Sequence, residues 1–310
     1  MSKTFPRSAT ERRLMIAGPA IRRCALGAAA TLALTGFAPA PADAEESAGP
    51  AIRLADAQPP AQPLEQALQK AAKAPTKPAK PLKLRHTYDI YLGGVPIAEG
   101  RLRARVTEIS YAAKTDIRAA GVLQSMFEAR VQSQTQGSRP DPESVPRADA
   151  LNPGVFQMKS IFQDKKFDMR MDFAEGAPSE IFAEPKYKKK KYEIDPKDQR
   201  GALDPISAVL MAFLPAASGD VCDRTIPVFD GRRRFDIVFL RAAKSYEEGR
   251  RRIVECDAVF RRVAGFKPSM MKKRDFPFVV KFNVRRDGRP TATQAWGETD
   301  YGVAMVTLRQ

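Results

Sequence analysis

The sequence predicts a mainly β protein, a single antiparallel curved sheet or incomplete β-barrel with one short helix packed against it. Three observations carry this. From residue 84 onward, segment after segment alternates apolar and polar side chains with period two. Glycine-containing dipeptides that favour tight turns punctuate those segments. Only one stretch has convincing helical spacing, so a single helix must cover whatever face the sheet leaves open. A sandwich of two sheets is the alternative arrangement.

The strands can be read in order. In HTYDIYLGGVPIAEGRLRARV, Tyr88, Ile90 and Leu92 share a face, Gly93-Gly94 turns the chain, and Val95 and Ile97 resume the alternation. Leu102, Ala104 and Val106 then oppose Arg101, Arg103 and Arg105. Phe167, Met169, Met171 and Phe173 alternate with Asp168, Arg170 and Asp172, and Phe278, Val280, Phe282 and Val284 repeat the pattern. Such segments are half-buried antiparallel strands, apolar inward and charged outward. Asp230-Gly231 and Asp287-Gly288 are hairpin dipeptides, because glycine tolerates the positive φ of such turns. The four prolines of 137–154 mark a loop or irregular edge. In GALDPISAVLMAFLP, Asp204 is an N-cap, Pro205 suits the first helical position and Pro215 ends the run. Ile206, Val209, Leu210, Phe213 and Leu214 supply the apolar face of this helix.

Residues 1–44 read as a secretory signal peptide: arginines, then the apolar run ALGAAATLALTGFA, then Ala42-Asp43-Ala44 as a cleavage site. The run is shorter than the ~18–20 residues a membrane span needs, and no later segment is apolar enough to span. Cys24 follows charged residues, which does not suit a lipoprotein cleavage box. The export route, general or twin-arginine, stays open. Residues 45–83, rich in Ala, Pro, Gln and Lys, read as a disordered spacer, which leaves 84–310 as the folded domain. The expected location is the periplasm.

Cleavage removes six Lys/Arg and two Asp/Glu, so the formal charge falls from +16 to +12. A basic exported protein is suited to anionic lipid, lipopolysaccharide or cell wall, and nucleic acid is not expected as a partner. Of the three cysteines, only Cys222 and Cys256 outlast the leader, and two thiols in an oxidising compartment are most simply a disulfide. Zinc would want about four ligands, and His86 is the only histidine. No cofactor is expected.

Two motifs bear on function. The basic run PKYKKKKY, with Lys186, Lys188, Lys189, Lys190 and Lys191 between Tyr187 and Tyr192, is a candidate contact for an anionic surface or a plain solvated hairpin tip. Ser269-Met-Met-Lys272 matches the S-x-x-K of penicillin-interacting serine enzymes, yet it reads as a loop and its partner motifs are missing. No nucleophile elbow, phosphate loop or dinucleotide fingerprint is present. His86 sits at the start of the domain, poorly placed for a triad. The residues therefore point away from an enzyme, although a carboxylate pair for hydrolysis leaves no mark in sequence.

Over most of 84–310 the chain resembles the DUF3108 domain family of exported bacterial proteins of unknown function. The resemblance is carried by Tyr88-x-Ile-Tyr with Gly100, by Gly121, by ALDPISAVL at 202–210 and by IPVFDGRRRFDI at 226–237, with Cys222, Cys256 and Gly265-Phe266. It implies an antiparallel sheet like the half-barrels of lipoprotein carriers, and it brings no catalytic residues. The expected function is non-enzymatic maintenance of the cell envelope, with an apolar concavity offered to a lipid-like ligand. The alternatives are a module that docks on the cell wall or an envelope complex, and an uncatalogued envelope hydrolase.

Overall fold

The computed structural model describes residues 80–140, 150–188, 190–215, 220–249 and 251–309. The leader and nearly all of the spacer, both expected from sequence, lie outside the described residues. The strands are β1 Leu82–Leu92, β2 Val95–Val106, β3 Ser110–Ala119, β4 Ala129–Ser138, β5 Asn152–Phe162, β6 Lys165–Ala174, β7 Ala177–Glu184, β8 Arg224–Phe229, β9 Arg234–Glu248, β10 Arg251–Ala264, β11 Asp275–Val284, β12 Pro290–Thr299 and β13 Gly302–Leu308. All thirteen belong to one antiparallel sheet, ordered β7-β6-β5-β4-β3-β2-β1-β13-β12-β11-β10-β9-β8. It consists of two meanders, β1 to β7 and β8 to β13, joined where β1 pairs with β13. Edge strands β7 and β8 do not pair, so the barrel is incomplete.

The join is reinforced by one residue. Arg309 donates from its amide to Thr87 O at 2.8 Å and from Nη1 to Glu99 Oε2 at 2.8 Å, and its guanidinium also pairs with Asp89. Arg309, with help from Arg118 and Arg101, holds the Glu99 carboxyl below its ordinary range.

The helices are α1 Val122–Met126, α2 Pro196–Gln199, α3 Pro205–Met211 and α4 Pro268–Met271. Sequence spacing finds only α3. The S-x-x-K segment, read there as a loop, is the single turn of α4, whose side chains are too few to show a period. The inward face of the sheet is one apolar cluster to which β1, β2, β3, β5, β6, β8, β9, β10, β11 and α3 all contribute. Phe156, Phe229, Phe282, Met171 and Leu210 are among its fully buried members.

A seven-residue helix is unstable alone, and α3 persists because it is docked. Asp204 Oδ1 accepts from the amides of Ile206 and Ser207 at 2.9 and 3.0 Å. Its Oδ2 accepts from the Ser207 hydroxyl and, at 2.8 Å, from Thr135 Oγ1 on β4. With the Ser207 hydroxyl committed to Asp204, the Tyr111 hydroxyl of β3 donates to Ser207 Oγ at 2.8 Å. Asp204 and Ser207 are both fully buried, so the apolar plug is held by a satisfied polar clasp.

Three sequence expectations change here. Val209, assigned to the apolar face of α3, is 46% exposed, and polar Ser207 points inward in its place. Residues 137, 138 and 152–154 belong to strands; a register shift between Gln136 and Gly137 accommodates Pro153, which has no amide for a regular ladder. His86, expected at the domain boundary, lies within β1 and stacks on Phe213 at 5.4 Å.

Burial lowers the His86 pKa below its usual 6.5. The unfolded chain therefore binds a proton more readily than the folded one, and stability falls as pH drops through 6.5 toward the lowered value. Urea midpoints measured across this window should decline with acidification, and His86→Phe should flatten the decline.

Candidate functional site

The two cysteines are joined. Cys222 precedes β8 and Cys256 lies in β10, with Cα atoms 5.6 Å apart and neither residue exposed. Cys256 shares the inward face with Val254, Ala258 and Phe260, as the alternation predicts. The bond spans β9, tying the start of the edge hairpin to the next strand.

The basic run lies where the two sheet edges face each other. It follows β7 after Pro185, with Lys186, Lys188, Lys190 and Lys191 exposed, while Lys189 lies outside the described residues. Tyr187 turns back toward the protein. Its ring lies 5.6 Å from that of Phe167, and its hydroxyl donates to Met169 Sδ at 3.0 Å. Burial pushes the Tyr187 hydroxyl up to about 12, so it stays neutral at physiological pH.

The β8–β9 turn meets the run from the other edge. Asp230 accepts from the amides of Arg232 and Arg233 at 2.9 and 2.8 Å. Gly231 has φ +92°, a conformation that demands glycine, and a Cβ there would sit 2.5 Å from Met169 Sδ. The turn is thus wedged against β6. Arg232 lies over the Tyr187 ring, 4.5 Å from its centroid. A niche of about 200 Å³ opens beside it, lined by Ile181, Tyr187, Lys190, Tyr192, Phe229 and Arg232 among others. Two motifs far apart in sequence thereby form one basic, aromatic-backed surface.

A second depression, of about 400 Å³, crosses the outward face of β2 to β5. Register creates it: Arg103 lies opposite Lys114, Lys114 opposite Gln134, and Gln134 opposite Gln157. Arg101, Asp116, Gln132 and Lys159 also line it. Asp116 is engaged by Arg130 at 2.7 and 2.8 Å, which holds its carboxyl low. Sequence reading identifies the outward arginines but not this trough, because cross-strand neighbours depend on register.

Both depressions are open, and charged side chains line each of them. The inward face, expected to receive a lipid-like ligand, is occupied by α3 and its apolar neighbours. Ser269 on α4 and Lys272 just after it are exposed. No helix among the described residues is long and apolar enough to cross a membrane.

A family model described as a protein of unknown function, DUF3108, matches residues 87–309. The chain belongs to the DUF3108 family. No curated protein matches this DUF3108 chain. Among solved structures it is similar to a beta-barrel-like protein of domain of unknown function DUF1849 from Brucella abortus. The likeness has a TM-score of 0.39 and 11% identity, and covers 74% of this chain and 96% of that one.

Proposed function

We propose that this DUF3108 protein is an exported, non-enzymatic module of the cell envelope that binds an anionic lipid or lipopolysaccharide surface through its basic edge. The observation that carries this reading is the meeting of the basic run with Arg232, which reaches Lys188 O and shares a niche with Lys190 and Tyr187. The occupied inward face supports a surface binder over a carrier. Periplasmic location rests on the leader and on the disulfide, a bond that persists in oxidising compartments.

The test is binding to vesicles of anionic and zwitterionic lipid at increasing salt. A Lys near an anionic surface is worth ~1 kcal/mol. Replacing Lys186, Lys188, Lys190 and Lys191 by alanine should therefore weaken binding by about two to three orders of magnitude at low salt. Equal binding to both vesicle types would overturn the proposal.

A further inference from the structure

We propose that the connections at the β1–β2 end of the sheet form an interfacial anchor, which inserts apolar side chains into an anionic bilayer. This inference rests on the anionic-surface reading above and adds a hydrophobic component to it.

Because every neighbouring pair is antiparallel, strand connections alternate between two ends of the sheet. Five of the eleven exposed large apolar residues among the described ones fall at one end, on or beside three connections. They are Val95 beside the β1–β2 turn, Val122 and Met126 on α1 between β3 and β4, and Tyr301 and Val303 at the β12–β13 turn. Val122, Met126 and Tyr301 are 64%, 69% and 74% exposed, values typical of side chains with nothing packed over them.

These three connections are locked together. Gly93 N donates to Val303 O at 2.9 Å, and Ala120 N donates to Ile97 O at 3.0 Å. Gly121 lies so close to β2 that a Cβ on it would sit 2.7 Å from Pro96 O. Behind α1, Phe127 packs on Phe162 with ring centroids 5.3 Å apart. The tips therefore project from a braced platform.

The surroundings of the tips select the partner. On one flank stand Lys165 and Lys166 at the start of β6, followed by the lysines after β7. On the other flank, the β10–β11 connection carries Lys267, Lys272 and Lys273. Glu128, Asp164, Glu184, Glu193, Asp275, Glu298 and Asp300 are acids at the same end, and the nine described lysines there outnumber these seven. Scattered apolar tips on turns, bordered by cations, match a headgroup layer over hydrocarbon. A tyrosine at such a tip suits the membrane–water interface.

The experiment compares vesicle binding of the purified protein at low salt and at about 0.5 M, where exposed charges are screened beyond a few ångströms. The triple variant Val122→Asp, Met126→Asp, Tyr301→Asp is set against Ile109→Asp, whose residue is 77% exposed at the opposite end. Wild type and Ile109→Asp should retain binding at high salt. The triple variant should lose about tenfold or more of that salt-resistant partition, on the scale of burying even one such side chain. It should still bind at low salt and keep its thermal midpoint.

If wild-type binding vanishes at high salt and the triple variant matches it throughout, insertion is refuted while the charge-based reading stands. If wild type fails to bind anionic vesicles even at low salt, both fall. If the triple variant loses a protein partner while vesicle binding is unchanged, the tips are a protein interface and the bilayer assignment is wrong.

Discussion

Asp204→Ala should destabilise the protein by roughly 3–5 kcal/mol, from the loss of a helix cap and the orphaning of buried donors. Four donors converge on this fully buried carboxylate: the amides of Ile206 and Ser207 and the hydroxyls of Ser207 and Thr135. Alanine removes every acceptor at once from a site that solvent does not reach in the native fold. The measurement is a urea titration of the oxidised protein, in which the midpoint should fall with little change in slope. Asp204→Asn should be milder, since one carbonyl oxygen can still cap α3. Burial raises the Asp204 pKa above its ordinary 3.8, so the folded state binds this proton more tightly than the unfolded chain. The stability linked to it is full below 3.8 and is lost as pH rises through the raised value. A carboxamide does not titrate, so Asp204→Asn should abolish that slope. A neutral Asp204→Ala would mean that the clasp does not hold α3 in place.

The second large effect concerns the disulfide. Cys222 and Cys256 are 34 positions apart, and in the chain-entropy description closing such a loop removes about 3–4 kcal/mol of unfolded-state freedom. The paired change Cys222→Ala and Cys256→Ala should lower stability by that order, and more if the site cannot collapse around the lost sulfurs. Neither cysteine is exposed, so thiol reagents should fail to label the native protein until it is unfolded and reduced. Non-reducing electrophoresis should show the oxidised chain migrating faster than the reduced one. Ready labelling of both cysteines in the native state would contradict the bond.

Much of this fold was legible because strand alternation is a local property. Leu102, Met169, Met171, Val280 and Phe282 each declare their inward face through their immediate neighbours, and all five are buried. The caps of α3 were legible for the same reason: Asp204 and Pro205 act within one turn. Ser207 was missed because a hydroxyl gives no apolar signal, and its value depends on Tyr111, which is 96 positions away. α1 and α4 were missed because four or five residues cannot establish a 3.6-residue period. At the candidate site, the lysine run stood out by composition alone. Its meeting with Arg232, 44 positions from Lys188, follows from how the two edges approach, which no local pattern encodes. The apolar tips were equally hidden, since Val122, Met126 and Tyr301 come together only through the order of the strands.

Under the proposed function, a ligand meets the connections and basic edge outside a filled sheet, and not its interior. Amide hydrogen exchange with and without anionic vesicles tests this most directly. Added vesicles should slow exchange at 93–96, 120–128, 186–191 and 300–303 and leave α3 and the inward strands unchanged. Altered exchange at α3 and the strands it packs against, with the connections unaffected, would mean that the plug moves aside for a ligand and that the central claim is wrong.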